Sequence, residues 1–357
     1  MHIREATTDY ERWLRRQTPV VASALQEKHE RMREDPFGFL RGTFYRWAQL
    51  YPALVPEPPD TPHVIAVGDL HVDSFGTWRD REGRLAWGVD DFDDAYPLPY
   101  TNDLVRLATS VSIARSLGVI ETKLSDACAA ILDGYLSTVR EGGHPIVLAE
   151  AHQHFEKLGI DRLKPPRRFW HTLDECPSVN GAVPRSALRA LTAALPAPVD
   201  DYRVMRRRAG DGSLGQPRFV LVAQDAGGQV AREVKALVPS SCVWAAGRSS
   251  RGQPYYTRAM SHAVRSPDPY QCVVGRWIVR RLSPDSNPVT MASLDGKHDE
   301  LRLLRAMGTE TANVHLGTRR HAKAVLADLS RRPGRWLWRA AKTMARAVER
   351  DWKDYRG

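Results

Sequence analysis

Carboxylates and a histidine crowd one stretch of the chain, from Val64 to Ser110. An apolar run, Val64 to Val67, ends on Gly68-Asp69-Leu70-His71, and a second, Leu85 to Val89, ends on Asp90, Asp91, Asp93 and Asp94. Both runs read as short buried strands. Strands that each deliver acids at their C-terminal ends can set those acids side by side. Like charges brought together out of water need a cation or a proton between them. Hard oxygen ligands of this kind suit Mg²⁺. Asp69 and His71 are therefore candidate catalytic groups, with Asp91 and Asp93 as candidate metal ligands. A solvated surface turn would also hold acids, but seven aspartates from Asp69 to Asp94, most of them at strand ends, favour a site.

Two chemistries use such groups. A two-metal phosphoesterase opens on Asp-x-His but needs a later Gly-Asn-His and Gly-His-x-His. The nearest approach here is Ala151-His152-Gln153-His154, without the glycine. A phosphotransferase needs an acid to orient the attacking hydroxyl, another on Mg²⁺, a lysine on the α- and β-phosphates and a glycine-rich cover. Asp69, Asp91, Lys235 and the loop Gly210-x-Gly212-Ser213-x-Gly215 can fill those roles. The glycine pattern lies between two expected strands rather than between a strand and a helix, which disfavours a dinucleotide fold. A hairpin loop over phosphates fits it, because glycines let backbone N–H groups approach an anion. Lys235, on the third strand of the same meander, would be an ordinary solvated lysine without that loop upstream. His315, on a later helix, can either approach the site or support the core.

The elements that must position these groups fall into blocks. Residues 6 to 50 read as helices, with Asp35 as cap and Pro36 at the first position of one of them. Pro-rich residues 52 to 62 link to the first strand, and Pro97 and Pro99 mark a loop. The separation of Asp69 from Asp91 suits two neighbouring strands joined by a hairpin. Helices are expected from Thr101 to Leu117, capped by Thr101, Asn102 or Asp103, and from Glu121 to Arg140. Residues 144 to 196 look mainly helical. Tyr202 to Arg206, Arg218 to Ala223 and Val230 to Val238 read as strands, 239 to 270 as irregular, and Gln271 to Leu282 as another strand. From Gly296 to Arg356 the pattern is helical, broken near Gly317 and Pro333. Runs of strands separated from runs of helices argue an α+β fold. Its expected parts are a helical lobe with the catalytic strands (1–200), a β-rich nucleotide lobe (201–290) and C-terminal helices packing back on the first lobe (291–357).

The chain as a whole narrows the partners. With 42% hydrophobic and 26% charged residues it has the composition of a soluble globular protein. No run approaches the roughly 20 apolar residues of a membrane span. Met1-His2-Ile3-Arg4-Glu5 lacks the apolar core of a leader, which predicts a cytoplasmic protein. Cys128, Cys176, Cys242 and Cys272 form no C-x-x-C pair, so reduced thiols are expected rather than zinc or a disulfide framework. The net charge of +10 permits anionic partners, and nine Lys/Arg against three Asp/Glu lie between Arg331 and Gly357. No nucleic-acid-binding motif accompanies that excess, so a solvated basic face is the expectation.

Several of these pieces together resemble a known family. Phe37-Gly38-Phe39-Leu40-Arg41-Gly42, Gly68-Asp69-Leu70-His71 through Phe75-Gly76, Asp91-Phe92-Asp93, Asp103-Leu104-Val105-Arg106-Leu107, Gly212-Ser213-Leu214-Gly215, Val234-Lys235 and Gly308 through His315 are similar to domain-of-unknown-function family 2252. Those uncharacterised bacterial proteins are placed among the protein-kinase-like folds. Gly68-Asp69-Leu70-His71 and Asp91-Phe92-Asp93-Asp94-Ala95 also resemble the catalytic and metal-binding segments of aminoglycoside- and choline-kinase-like enzymes. Such kinases place the glycine loop and lysine first, whereas here the catalytic segment comes first. The resemblance thus implies a circularly permuted, two-lobed kinase-like fold that uses ATP and Mg²⁺ on a small-molecule acceptor.

Two departures from the kinase pattern stand out. Ser74 replaces the asparagine that serves a second Mg²⁺, and Asp73 or Asp93 could substitute for it. Ala236 follows Lys235 where the family tends to have Glu, and Glu233 is the candidate stand-in partner of the lysine. A degenerate, nucleotide-binding regulator without turnover is the alternative these departures raise.

Overall fold

The computed structural model describes residues 1–148, 165–179, 183–248, 255–286, 289, 291, 294 and 297–357; the segment Ala151-His152-Gln153-His154 lies outside them. Four helices open the chain: α1 (Ile3–Gln17), α2 (Ala22–Glu34), α3 (Pro36–Gly42) and α4 (Phe44–Leu54). Asp35 caps α3 as its sequence position suggests, accepting from the Phe37 and Gly38 N–H groups at 2.7 and 2.8 Å. Pro36 occupies the first turn, where a missing donor costs nothing.

Four short strands follow, β1 (His63–Ala66), β2 (Phe75–Arg79), β3 (Leu85–Val89) and β4 (Tyr96–Pro99). They correct two expectations. β1 pairs antiparallel with β4 and β2 with β3, so the strands before Asp69 and Asp91 are not neighbours in one sheet. Pro97 and Pro99, expected in a loop, lie in β4 opposite Ile65 and His63. Both strands of a two-stranded sheet are edge strands, where proline is tolerated.

Next come α5 (Thr101–Ser116), α6 (Leu124–Glu141), α7 (Pro166–Asp174) and α8 (Arg185–Ala193). A five-stranded antiparallel sheet is then built from β5 (Tyr202–Arg206), β6 (Arg218–Asp225), β7 (Gly228–Ala236), β8 (Cys272–Val274) and β9 (Trp277–Leu282), in the order β5-β6-β7-β9-β8. The stretch expected to be irregular contains α9 (Ser241–Ala245) and α10 (Tyr256–His262). Gln271 to Leu282, read as one strand, is a hairpin: Gly275 turns at φ +61°, and Val274 faces Trp277 across it. The chain ends on α11 (Lys297–His315), a 3₁₀ turn (Leu316–His321), α12 (Ala322–Arg331) and α13 (Trp336–Arg356).

The two ends of the chain share one core. α13 packs on α5 and α11 on α6, and Leu104, Val111, Met307 and Met344 are fully buried together. Glycines let α6 and α11 touch backbone to backbone. A Cβ on Gly134 would lie 2.0 Å from the Arg305 carbonyl oxygen, and one on Gly308 2.1 Å from that of Ile131. The five-stranded sheet buries Phe219, Leu221, Val234 and Val279 against Ala187 and Leu191 of α8. Its opposite face carries Arg218, Glu233, Lys235 and Arg280. The fold is thus mixed α and β, helical at both ends with small sheets between. Among the described residues no helix is long and apolar enough to cross a membrane, and all four cysteines are free.

Candidate active site

β1 runs into Gly68, which turns at φ +83° and passes so near the loop after β3 that a Cβ would lie 2.4 Å from the Asp94 carbonyl oxygen. Only glycine allows both, and the turn brings Asp69 against the acidic loop. Asp103 holds that turn, accepting from the Val67 and Gly68 N–H groups at 2.7 and 3.1 Å. It does not cap its own helix, and neither do Thr101 or Asn102; Tyr100 occupies the cap position without a side-chain bond. Behind Asp103, His315 Nε2 lies 3.0 Å away, with the Tyr135 hydroxyl 2.8 Å from its Nδ1. His315 therefore supports the turn from behind rather than entering the cleft. Ser74 is used in the same turn: its hydroxyl accepts from His71 N–H at 3.0 Å and donates to the Asp69 carbonyl at 3.3 Å. His71 Nδ1 accepts from Asp73 N–H at 3.2 Å. Burial, with Arg41 and Arg106 near, holds His71 well below the usual imidazole range, so the ring is neutral.

Asp69 is gripped on one oxygen. Arg106 Nε donates to its Oδ1 at 3.0 Å and Nη2 reaches the same atom, while Nη2 also donates to the Leu40 carbonyl at 2.9 Å. The guanidinium is fully buried over the rings of Phe44 and Trp47, 5.0 and 4.9 Å from their centroids. Burial lifts the Asp69 carboxyl above the ordinary aspartate value, and Arg106 works against the rise. Sequence reasoning assigned Arg106 no role. Its signal was a charge inside the apolar run Asp103-Leu104-Val105-Arg106-Leu107.

Lys235, 1% exposed, places its ammonium 3.1 and 3.3 Å from the Asp91 carboxylate oxygens and also pairs with Asp93. Arg280 of β9 adds a second cation, 3.3 Å from Asp91. Burial opposes ionisation of Asp91, but Lys235 and Arg280 outweigh it and hold that carboxyl well below the usual range. Asp93 goes the other way, raised by burial and by the neighbouring Asp91. Glu233 is not the partner of Lys235. It accepts from Arg207 at 2.6 Å and Arg218 at 3.1 Å, and against its burial these arginines pull it down to about 2. Strand periodicity put Glu233 and Lys235 on one face, but two arginines reach the glutamate first.

The glycine loop bends over Asp69. A Cβ on Gly212 would lie 3.1 Å from Asp69 Oδ2. Lys28 of α2 donates to the Gly212 carbonyl at 2.9 Å, and Asp211 is held by Arg31 at 2.5 Å and Arg41 at 3.1 Å. Arg41 also reaches Asp73 at 3.3 Å. Gly210 turns at φ +74°, and the Ser213 hydroxyl accepts from Arg218 at 2.8 Å. Gly215 faces elsewhere: its carbonyl accepts from Val21 N–H at 2.8 Å and it rests on Leu25. Gly210, Gly212 and Ser213 thus border a cleft of about 350 Å³ together with Asp69, His71, Asp73, Ser74, Asp91 and Asp93. Lys235 lies behind Asp91 and Asp93, and Gly215 lies off the cleft against α2.

Among the described residues no three His, Cys, Asp or Glu side chains converge as an all-protein metal cage requires. Mg²⁺ seldom uses one; it takes one or two carboxylates and completes its shell with phosphate and water. Asp91 and Asp93 suit that habit, and Asp93 Oδ1 is buried without a partner. Asp73 and Ser74 are already engaged, by Arg41 and by the turn.

Residues 17–168 match the family model of an uncharacterized protein conserved in bacteria (DUF2252). The DUF2252 match spans Lys28, Arg41, Asp69, Asp91 and Arg106, while the glycine loop and Lys235 lie beyond it. Comparison with curated proteins finds no match, and comparison with solved structures finds none.

Proposed function

We propose that the chain is an ATP- and Mg²⁺-dependent phosphotransferase acting on a hydroxyl of a small molecule, with a circularly permuted kinase-like fold. One observation carries the reading: three separate pieces of the chain, two from the acidic stretch and one from much later in the sequence, meet at one cleft. They are Asp69 on its turn, Asp91 and Asp93 after β3 with Lys235 directly behind, and the glycine loop between the first two strands of a sheet whose third strand bears that lysine. This is the parts list of phosphoryl transfer, delivered in a different chain order.

In this reading Asp69 Oδ1 stays on Arg106 while Oδ2 accepts the hydroxyl proton of the acceptor. Asp91 and Asp93 would hold Mg²⁺, which would supply charge neutralisation on the phosphates. Lys235 then turns from the carboxylates to the α- and β-phosphates, and the N–H groups around Gly210 and Gly212 cover them. The neutral His71 sets the turn beside Asp69. Calorimetry with Mg²⁺–ATP tests this on wild type, Lys235→Ala and Asp91→Ala. Binding that needs Mg²⁺ and is lost in both variants supports the reading; no binding in wild type ends it.

The reading as a nucleotide-binding regulator without turnover keeps one observation in its favour. Gly212 rests on Asp69, and Ser74 is spent on the turn rather than free for a metal. Binding of Mg²⁺–ATP with no consumption on any acceptor would decide for it. A metal-dependent phosphoesterase, the third possibility, has no comparable support among the described residues.

A further inference from the structure

The face of the five-stranded sheet above Asp91 is built from charge. Register places Arg218 opposite Lys235 and Glu233 opposite Arg280 on that face, and Arg207 joins from just past β5. Four cations therefore share this face, two of them on Glu233 and two on Asp91. Glu233, 1% exposed, grips Arg207 and Arg218 and fixes where their guanidinium groups stand. Arg280 keeps Nε buried without a hydrogen-bond partner among the described residues, and its Nη2 lies 3.3 Å from Asp91, the carboxylate it shares with Lys235. Buried guanidinium donors left open beside a cleft suit an oxyanion, and the planar fork matches phosphate.

A nucleobase needs something different, a slot between apolar faces. Among the described residues the rings bordering the cleft do not offer one. Tyr10 is stacked on Tyr45 at 4.3 Å, Trp78 carries the Arg265 guanidinium at 4.3 Å, and Tyr10, Phe44, Tyr45 and Trp78 are all at most 7% exposed.

We infer that the cleft holds its donor through the phosphates, on Arg207, Arg218, Lys235 and Arg280, and that inorganic triphosphate is bound about as tightly as ATP. The inference rests on the phosphotransferase reading and narrows its donor from a nucleoside triphosphate to the polyphosphate chain itself. Once another cation neutralises Asp91 and Asp93, Lys235 and Arg280 lose their carboxylate partners together and both are released to the same phosphates.

Calorimetry on the full chain with the Mg²⁺ complexes of ATP, GTP and inorganic triphosphate tests it. Expected are three Kd values within about fivefold of one another, and a loss of about tenfold or more in Arg280→Ala that is equal for all three ligands. Arg207→Ala, at a more exposed position, should weaken all three in parallel and guards against a folding defect in the first variant. ATP bound more than about fivefold tighter than triphosphate in wild type overturns the inference while leaving the phosphotransferase reading standing. An Arg280→Ala chain of native circular dichroism that binds triphosphate as wild type does also overturns it. If none of the three binds, both readings fall.

Discussion

The buried ammonium of Lys28 donates to the carbonyl of Gly212, so helix α2 holds the glycine loop down over Asp69 from outside the sheet that carries the loop. Arg31 and Arg41 add to the same hold through Asp211. Gly212 and Asp69 thus stand together at the cleft that both border.

Lys28→Met separates that hold from stability. Methionine keeps most of the buried length and removes a charge that burial disfavours. Urea melts should show stability changed by no more than about 1 kcal/mol, the relief of burying the charge offsetting the donor lost to the Gly212 carbonyl. Mg²⁺–ATP should associate faster in stopped flow, because the loop lifts more easily. Unchanged association with unchanged stability would mean that the contact is incidental.

Arg106→Lys keeps a positive charge beside Asp69 but gives up the fork and the bond to Leu40. The variant should lose about 2 kcal/mol of stability, since buried acceptors lose their donors. ATP consumption should fall by about tenfold or more while Mg²⁺–ATP affinity stays put, because the damage is to the orientation of Asp69. Full turnover in this variant would remove Asp69 from the reaction.

Glu233 gives stability a defined acid dependence. Its carboxyl is at about 2 in the folded chain and near the ordinary glutamate value of 4.5 when unfolded. A depressed carboxyl stabilises fully above the unfolded value and loses that contribution as pH falls toward the folded one. Against Glu233→Gln, the wild type should be favoured by roughly 3 kcal/mol at pH 7 and by about 2 kcal/mol at pH 3.5. Denaturant titrations at the two pH values check the sign. A difference that grows on acidification would show that Arg207 and Arg218 do not hold the ionised form.

Gly308→Ala should be among the costliest single-methyl additions in the chain. The new Cβ would meet the Ile131 backbone at 2.1 Å, and backbone cannot step aside as a side chain can. A loss of about 3 kcal/mol or more is expected, as for severe overpacking. Gly334→Ala, with nothing within 4 Å, is the control and should stay within about 0.5 kcal/mol. Equal melting temperatures for the two variants would contradict the close crossing of α6 and α11.

Sequence was most informative where chemistry depends on local pattern. The Asp35-Pro36 start, the turn at Gly68-Asp69, the acidic end of β3 and the strands around the glycine loop are all dictated by neighbours along the chain. What it hid are partnerships between distant segments. Nothing near Lys235 announces that Asp91 and Asp93 receive it, and Glu233 looked available only because Arg207, just past β5, and Arg218 of β6 approach from elsewhere in the chain. β4 was concealed by its own prolines, which argue for a loop unless the strand is known to be an edge. Lys28 and Arg106 were invisible as site residues because one looked like a solvated helix charge and the other like a break in an apolar stripe.

The bond from His315 to Asp103 has a temporal side. A ribosome delivers Gly68, Asp69 and Asp103 some two hundred residues before His315, the side chain that stands behind them. A nascent chain, or one cut short before α11, carries every acidic group of the cleft without the brace that holds their turn. The turn is therefore braced last although its acids are made first.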